Sequence, residues 1–212
     1  MTRRYLDLVA TPAILAARTA LGSFAAYDAP AAPDVADPLT AAEAGFIAAR
    51  DSFYLASASE TGWPYVQHRG GPAGFLKVLD EQTLAFPEFR GNRQYLSLGN
   101  VSADDRVSLF LMDYPNRQRL KVLGRMTARN LTDDPVLADR LDLPGYRGRP
   151  ERAFVIHVEA FDWNCPQHIT PRYTMTEVEA ATAPLRDRLI VLEAENQALR
   201  DRIAGVAPEV QP

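Results

Sequence analysis

The stretch from Gly74 to Arg93 carries the residues whose types and spacing best fit a chemical role. Two apolar, strand-like runs meet at the polar turn 80–82, and Lys77 lies inside the first run. The cluster Arg90-Gly91-Asn92-Arg93 follows the second run, where the pattern predicts that a short helix, residues 92–99, begins. Cations and free backbone N–H groups at a helix start favour an anion, above all phosphate. The stretch therefore predicts a site for a phosphorylated cofactor.

Each member of this cluster also fits a plainer role. Lys77 could be a rim lysine whose ammonium reaches water, and Arg90 and Arg93 could be surface charges. Their convergence favours the site: Gly91 permits close backbone approach, Asn92 is a suitable cap, and Arg93 can present two donors to phosphate oxygens.

A second basic group, Arg117, Arg119 and Lys121, shares one face of the next predicted strand, residues 119–129. Three cations on one strand face usually point to solvent. At a cofactor site, one of them could reach the phosphate or the ring.

Composition excludes several classes of function. The 212 residues carry a net charge of −4, so a general attraction for nucleic acid or anionic membrane is not expected. No apolar run is long enough to span a bilayer. Cys165 is the only cysteine, which predicts a reducing, cytoplasmic setting. The three histidines show no metal-ligand spacing, so no metal site is predicted.

The element pattern is mainly β. Thr11-Pro12 starts a predicted helix over 12–21, residues 28–38 suggest an extended linker, and Thr40 with Glu43 forms a capping box that starts another helix. Predicted strands cover 52–59, 63–68, 75–79, 83–86, 106–114, 119–129 and 153–161, and a helix covers 134–141. Six or seven short strands at hairpin spacing predict a small antiparallel barrel.

The C-terminal segment shows a heptad pattern. Leu185, Leu192 and Leu199 occupy d positions, and Leu189, Asn196 and Ile203 occupy a positions. Leu at d with one Asn at a favours a parallel two-stranded coiled coil, and the g–e′ pairs Arg188–Glu193 and Glu195–Arg200 are attractive in a homodimer. The alternative is an amphipathic helix packed on its own domain. The chain thus divides into 1–39, a barrel over 40–175, and 176–212.

Residues from about Phe53 to Arg129 resemble the FMN-binding split-barrel superfamily, specifically proteins similar to pyridoxamine 5′-phosphate oxidase. Leu76-Lys77, Asp80, Phe86 and Arg93 match the family's phosphate-wrapping segment without a gap. The strand 106–109, Arg-Val-Ser-Leu, and the segment Gln118-Arg119-Leu120 correspond to later family elements.

The resemblance implies that Lys77 and Arg93 contact the FMN phosphate and that Pro87 and Glu88 approach the ring. It also implies that Arg119 comes from the second subunit of a homodimer, since the family binds FMN at a dimer interface. Three contacts are less constrained: Trp163, Gln167 and His168 are candidates for the ring or substrate, or for a structural strand end. The full predicted cofactor-binding set is Arg69, Gly74, Phe75, Leu76, Lys77, Pro87, Glu88, Asn92, Arg93, Gln118, Arg119, Trp163, Gln167 and His168.

This chain departs from the family pattern at several places. Pro72 stands where the family's first phosphate-binding arginine is expected, and Arg69 is the nearest substitute. Gln94 replaces the second basic residue of a dipeptide, and the family's substrate-binding Arg-x-His-Asp-Arg segment is absent. We therefore expect an FMN-dependent oxidoreductase acting on an unidentified small molecule. A non-catalytic flavin-binding sensor or carrier is the alternative, and a deazaflavin could replace FMN.

Overall fold

The computed structural model describes residues 3–23, 34–163 and 166–206. The chain forms two compact units, Met1–Ile169 and Thr170–Pro212. The predicted linker over 28–38 lies partly outside the described residues, and Cys165 lies wholly outside them.

The described part of the first unit contains five helices and seven strands. The helices are α1 (Arg3–Val9), α2 (Pro12–Ala20), α3 (Ala41–Ala48), α4 (Leu96–Ala103) and α5 (Pro135–Arg140). The strands are β1 (Ser52–Ala58), β2 (Pro64–Gly70), β3 (Lys77–Asp80), β4 (Thr83–Phe89), β5 (Arg106–Asp113), β6 (Gln118–Arg129) and β7 (Pro150–Trp163).

The strands form one antiparallel sheet in the order β2-β1-β5-β6-β7-β4-β3. The sheet curls so that side chains of strands far apart in the sheet order contact one another in its interior. The ring of Phe53 on β1 lies 5.2 Å from the ring of Phe86 on β4, although three strands separate them in the sheet order. This mainly β architecture with peripheral helices confirms the split barrel that the sequence predicts.

Strict alternation builds the interior of the barrel. On β5 and β6, Leu109, Leu111, Leu120 and Val122 are completely buried, and the residues between them are partly exposed. A buried leucine or valine side chain contributes about 1.5–3 kcal/mol relative to an exposed one. The period-two pattern of apolar residues therefore both identifies these strands and stabilises the barrel that they form.

The capping box predicted for α3 is present. The Thr40 side chain accepts a hydrogen bond from the Ala42 backbone at 3.2 Å, and the Glu43 carboxylate accepts one from the Thr40 backbone at 3.0 Å. Glu43 is buried and also accepts a hydrogen bond at 2.7 Å from the indole Nε1 of Trp163 at the end of β7. The cap thus joins the start of α3 to the last strand.

One predicted boundary is wrong at the centre of the proposed site. The helix expected over 92–99 begins instead at Leu96, because the backbone of Arg93 and Tyr95 has φ angles of 60° and 54°. Asn92 does not cap a helix; its side chain accepts a hydrogen bond from the Gln94 backbone at 3.3 Å. Residues 91–95 therefore form a loop with left-handed backbone rather than a helix start.

Several strand boundaries also differ from the sequence prediction: β2, β4 and β7 end two to three residues later than predicted, at Gly70, Phe89 and Trp163, and two strands differ at their start by more than one residue. The strand expected to start at Phe75 starts at Lys77, and the strand expected to start at Ala153 starts at Pro150. Both differences arise where polar or turn residues adjoin an apolar run, so hydrophobicity alone does not locate the first backbone pairing.

The second unit contains one long helix, α6 (Met175–Val206), of 32 residues. Thr174 and Glu177 form a reciprocal cap at its start: the Thr174 backbone donates to the Glu177 carboxylate at 2.7 Å, and the Glu177 backbone donates to Thr174 Oγ1 at 3.2 Å. Pro184 lies inside the helix.

Candidate functional site

A row of polar side chains lines the inner face of β2, an edge strand. Tyr65, Gln67 and Arg69 are partly buried, whereas Val66 and His68 between them are exposed. The Gln67 amide oxygen accepts a hydrogen bond at 2.9 Å from the buried Ser97 hydroxyl of α4. Polar residues on the inward side of a strand are unusual, since that side normally supplies the core.

Arg69 is the one cation of this row, and it is deeply placed. Its side chain is only 11% exposed, and its guanidinium lies over the rings of Phe86 and Phe154 at 5.7 and 5.5 Å. Burial lowers the pKa of the Arg69 guanidinium, and the charge of Glu88 opposes that shift. Its Nε and Nη2 atoms are buried without a hydrogen-bond partner among the described residues. Such orphaned donors are costly unless a ligand or water satisfies them.

Glu88 is the counter-ion of Arg69. Its carboxylate is buried between two arginines: Oε1 lies 3.4 Å from Arg69 Nη1, and Oε2 lies 3.4 Å from Arg152 Nε. Strand pairing places Glu88 directly opposite Arg152 on β7. The carboxylate thus neutralises part of the positive charge that the barrel end holds.

A second carboxylate, that of Glu151, lies among three guanidinium groups, of which that of Arg152 also contacts Glu88. Its oxygens are 3.9 Å from Arg90 Nε, 3.8 Å from Arg93 Nε and 3.8 Å from Arg152 Nη2. The Tyr95 hydroxyl donates to Glu151 Oε2 at 3.1 Å and accepts from Arg93 Nε at 2.9 Å. This hydrogen bond raises the pKa of the Arg93 guanidinium.

These groups surround one cleft at the end of the barrel, between β2, the end of β4 and the loop before α4. Of the sequence-predicted site residues, Arg69, Glu88, Asn92 and Arg93 line it together. Its other lining residues are Tyr65, Gln67, Phe89, Gly91, Gln94, Tyr95, Leu96, Ser97 and Glu151. We call this feature the Arg69 cleft.

Lys77 and Pro87 lie on the other face of the sheet. Lys77 pairs with Ala85 on β4, and paired residues point to the same side. Ala85 packs against Leu137 of α5, outside the barrel, whereas Glu88 shares the inner face with Phe86. Lys77 is accordingly not among the residues that line the Arg69 cleft. Within one chain, the structure therefore does not bring Lys77 and Arg93 together in one cleft.

Gly74, Phe75 and Leu76 form the turn before β3. Phe75 and Leu76 are 1% exposed and belong to the main core, with the Phe75 ring stacked on Phe53 at 5.6 Å. Gly74 has a φ of +78°, and an added Cβ would lie 3.2 Å from the Ala48 carbonyl oxygen. Only the backbone of this turn is therefore open to a ligand role.

Gln118 and Arg119 begin β6, beyond the β5–β6 turn. The Arg119 guanidinium lies 5.5 Å from the Phe110 ring, on the outer face of the sheet. Lys121 shares that face, as the sequence predicts, but its ammonium forms a 2.6 Å ion pair with the buried Asp162. Gln118 and Arg119 do not line the Arg69 cleft.

The three candidates near the end of the barrel occupy different settings. Trp163 packs edge-on against Phe46 at 4.8 Å and donates its indole N–H to Glu43, which is a structural strand-end arrangement. Gln167 and His168 are exposed, and His168 has a φ of 64°.

Two further features bear on function. Among the described residues, no group of three or more His, Cys, Asp or Glu side chains could hold a metal ion. Within the same part of the chain, none of the helices combines the length and apolar character needed to cross a bilayer.

Tyr95, Glu151 and Arg152 join the site only in three dimensions. The alternation of Tyr65, Gln67 and Arg69 is visible in the sequence and could have identified a polar inner strand face. Glu151 and Arg152 precede the apolar run by which β7 is recognised in the sequence. No sequence pattern indicates that Glu151 lies close to Arg93 or that Arg152 lies close to Glu88.

Comparison with known proteins identifies a family for this chain. A family profile described as pyridoxamine 5′-phosphate oxidase matches residues 39–159, more than half of the chain. A search of curated proteins gave no significant match.

Solved structures similar to this chain have low sequence identity. One is an FMN-binding protein from Syntrophomonas wolfei, 12% identical, with a TM-score of 0.44, covering 57% of this chain and 81% of that chain. HupZ from Group A Streptococcus is 13% identical, with a TM-score of 0.45, covering 64% and 99%. General Stress Protein 26 from Bacillus anthracis is 11% identical, with a TM-score of 0.42, covering 56% and 88%.

The profile match spans α3 and every strand from β1 to β6, together with most of β7. The chain therefore belongs to the pyridoxamine 5′-phosphate oxidase family.

Proposed function

We propose that this protein binds FMN and acts as an oxidoreductase on a small substrate. One observation carries the proposal: Arg69 lines the cleft, and two of its N–H donors are buried without a hydrogen-bond partner among the described residues. A phosphate oxygen satisfies such donors better than water does, because the hydrogen bond is charge-assisted. Arg69 then supplies the phosphate contact that the family pattern assigns to the position of Pro72.

The charge balance of the cleft supports a phosphate ligand. Four guanidinium groups, those of Arg69, Arg90, Arg93 and Arg152, face the carboxylates of Glu88 and Glu151. Arg90 and Arg152 do not line the cleft, and the charges that do, those of Arg69, Arg93, Glu88 and Glu151, balance one another. With all four arginines counted, the cluster has an excess of two positive charges, which matches a phosphate monoester of about −1.5 to −2 near neutral pH. A ligand with a phosphate tail is thus favoured over its uncharged counterpart.

Glu151 and Tyr95 position Arg93 in this proposal. The Tyr95 hydroxyl holds Arg93 Nε, and Glu151 holds that hydroxyl. The left-handed φ angles at Arg93 and Tyr95 cost free energy that the hydrogen bonds offset, so the guanidinium is oriented before any ligand arrives. An oriented cation loses less conformational entropy on binding phosphate.

Bound FMN would supply a two-electron acceptor and donor in its isoalloxazine ring. The chain's own residues then have to bind the phosphate, orient the ring and limit access of water. Phe89 and Leu96 form an apolar part of the cleft lining. This part suits the aromatic flavin ring better than the arginine cluster does.

The proposal includes a second copy of the chain. Arg119 lies on the outer face of the sheet, Gln118 alternates with it on the other face, and neither residue lines the Arg69 cleft. If they contact the same cofactor, as the family resemblance implies, they do so from a partner subunit. In a homodimer with FMN between its subunits, the Arg69 cleft of one chain and Gln118 and Arg119 of its partner would contact the same FMN molecule.

Three titrations test the proposal. Purified protein is expected to show flavin absorbance and to release FMN on heating, as identified by mass spectrometry. Apoprotein should bind FMN more tightly than riboflavin, which lacks the phosphate, and a deazaflavin titration decides between the two ring systems. Apoprotein that binds none of the three contradicts the proposal. Bound flavin that no reductant, oxidant or substrate panel turns over supports the sensor or carrier alternative.

A further inference from the structure

The long helix α6 carries an uninterrupted heptad pattern along almost its whole length. The a and d positions identified between Leu185 and Ile203 continue in register towards the start of the helix. The complete series of a and d residues is Met175, Val178, Thr182, Leu185, Leu189, Leu192, Asn196, Leu199 and Ile203. Four successive heptads exceed what a short helix packed on one domain requires.

The apolar members of this series are exposed in the single chain. Leu185, Leu189, Leu192, Leu199 and Ile203 have exposed fractions between 44% and 73%. Large aliphatic side chains aligned along one helix face remain exposed to water unless another surface covers them. The regular spacing of 3.5 residues indicates that the covering surface is another helix.

Asn196 and the flanking charges identify that helix. An Asn at an a position finds a hydrogen-bonding partner when the same Asn of a parallel, in-register chain faces it. The g–e′ pairs Arg188–Glu193 and Glu195–Arg200 are both of opposite charge in that arrangement. In an antiparallel pair, a residues face d residues, so Asn196 would generally oppose leucine.

Pro184 does not interrupt the seam. It occupies a c position, on the side away from a and d, so its ring does not enter the interface. A proline inside a helix removes one backbone hydrogen bond and bends the axis. The seam from Leu185 to Ile203 lies entirely after Pro184, so any bend at this proline leaves it intact.

We propose that α6 pairs with α6 of a second copy as a parallel, in-register two-stranded coiled coil. Burial of the leucine and isoleucine side chains provides the stability, and Asn196 and the charged flanks restrict the partner to a parallel copy of the same helix. The interface is independent of FMN, because none of its residues lines the Arg69 cleft.

Disulfide trapping in the full-length protein tests pairing and register together. In a Cys165→Ser background, Asn196→Cys places two thiols face to face only in the parallel, in-register dimer. Mild oxidation should convert most of the protein to a covalent dimer. The matched control Gln197→Cys lies at b, pointing away from the seam, and should cross-link at least tenfold more slowly. Leu192→Cys, at a d position and with Asn196 retained, should cross-link as well. Absence of cross-linking at both position 192 and position 196, or rates no higher than that of Gln197→Cys, overturns the proposal.

Charge reversal supplies a second test with the same readout. In the Asn196→Cys protein, Glu193→Arg places like charges at the Arg188–Glu193′ pair and should slow cross-linking several-fold. Adding Arg188→Glu restores opposite charges and should restore the rate. Asp187→Arg, at an f position, serves as a control with no expected effect. Equal rates for all these variants exclude the charge-matched parallel pairing, even if the barrels associate by another surface.

Discussion

The Arg69 guanidinium lies 3.4 Å from the Glu88 carboxylate, although their strands stand near opposite ends of the sheet order. β2 is one edge strand, and β4 is next to the other edge. The ion pair therefore bridges the two ends of the curled sheet. Closure of the barrel buries this pair beside the Arg69 cleft, and two Arg69 donors have no hydrogen-bond partner among the described residues. The fold itself thus brings together the groups of the proposed anion site.

Replacing Arg69 should weaken FMN binding. Arg69→Ala removes the buried donors, and we expect a loss of about 1.5–3 kcal/mol in FMN binding free energy, the usual contribution of a hydrogen bond to a charged group. Riboflavin affinity should change little, because riboflavin has no phosphate. Fluorescence titration of apoprotein with both ligands measures the difference.

Arg129→Ala, at an exposed position near the end of β6, is the control for loss of one positive charge. Unaltered FMN affinity in Arg69→Ala, or equal losses for FMN and riboflavin, would show that Arg69 does not bind the phosphate. Arg69→Lys keeps the charge without the planar fork and should recover only part of the affinity.

Arg93 should contribute separately. Arg93→Ala removes a guanidinium that the Tyr95 hydroxyl already orients, and we expect FMN affinity to fall by about 1.5–3 kcal/mol. Tyr95→Phe keeps Arg93 but releases its side chain, so it should lose a smaller part of the same affinity. Isothermal titration calorimetry with FMN checks both variants. A larger loss in Tyr95→Phe than in Arg93→Ala would assign the contact to Tyr95 instead.

The sequence predicts the strands of the barrel but not the way in which its ends meet. Alternating apolar residues locate β5 and β6 almost to the residue, because local period and burial coincide there. Contact between Arg69 and Glu88 depends on how far five intervening pairings curl the sheet, which no local pattern records. The same reason explains why Glu151 escapes sequence reasoning, since it reaches Arg93 only across the barrel end.

The start of α4 shows a different limit. Gly91, Asn92 and Arg93 have the composition of a helix start, yet the helix begins at Leu96. The hydrogen bonds of Tyr95 with Arg93 and Glu151 hold the preceding loop in left-handed backbone, and Glu151 is distant in sequence. Tertiary contacts therefore override the local capping preference.

The buried Glu43 should make the free energy of unfolding depend on pH. Burial disfavours its charged form, but hydrogen bonds from Thr40 and Trp163 prevail and hold the pKa of Glu43 below its ordinary value of 4.5. A carboxyl group with a depressed folded pKa stabilises the protein above pH 4.5, and this contribution is lost as the pH falls through the folded pKa.

Glu43→Gln should therefore lower the free energy of unfolding by about 1 kcal/mol near pH 7, and by less below pH 4.5. Urea denaturation at a series of pH values measures both effects. Glu81→Gln, at an exposed turn position, is the control. A difference between Glu43→Gln and the parent that stays constant down to pH 3 would contradict the assignment.

Two glycines should respond in opposite directions to alanine. Gly124 lies at a bulge in the β6–β7 pairing, and an added Cβ would lie 2.6 Å from the His157 carbonyl oxygen. Gly124→Ala should therefore destabilise the barrel by about 1–3 kcal/mol. Gly99 lies within α4 with no atom within 4 Å of an added Cβ, and Gly99→Ala should stabilise by about 0.5–1 kcal/mol. Urea denaturation compares the two; equal effects would refute the close approach at Gly124.

Glu151 should act as an internal competitor for the phosphate. Its carboxylate lies within 3.9 Å of nitrogen atoms of Arg90, Arg93 and Arg152, so an incoming dianion must share these cations with it. Glu151→Gln keeps an oxygen for the Tyr95 hydroxyl but removes the charge. FMN affinity should then rise by about 0.5–1 kcal/mol, the scale of partly exposed ion pairs, while riboflavin affinity stays constant. The gain should shrink with added salt, because screening weakens the repulsion between carboxylate and phosphate.

Glu60→Gln, in the exposed β1–β2 turn, controls for the change in net charge. Weaker FMN binding in Glu151→Gln would mean that the positioning of Arg93 by this carboxylate outweighs its repulsion of the phosphate.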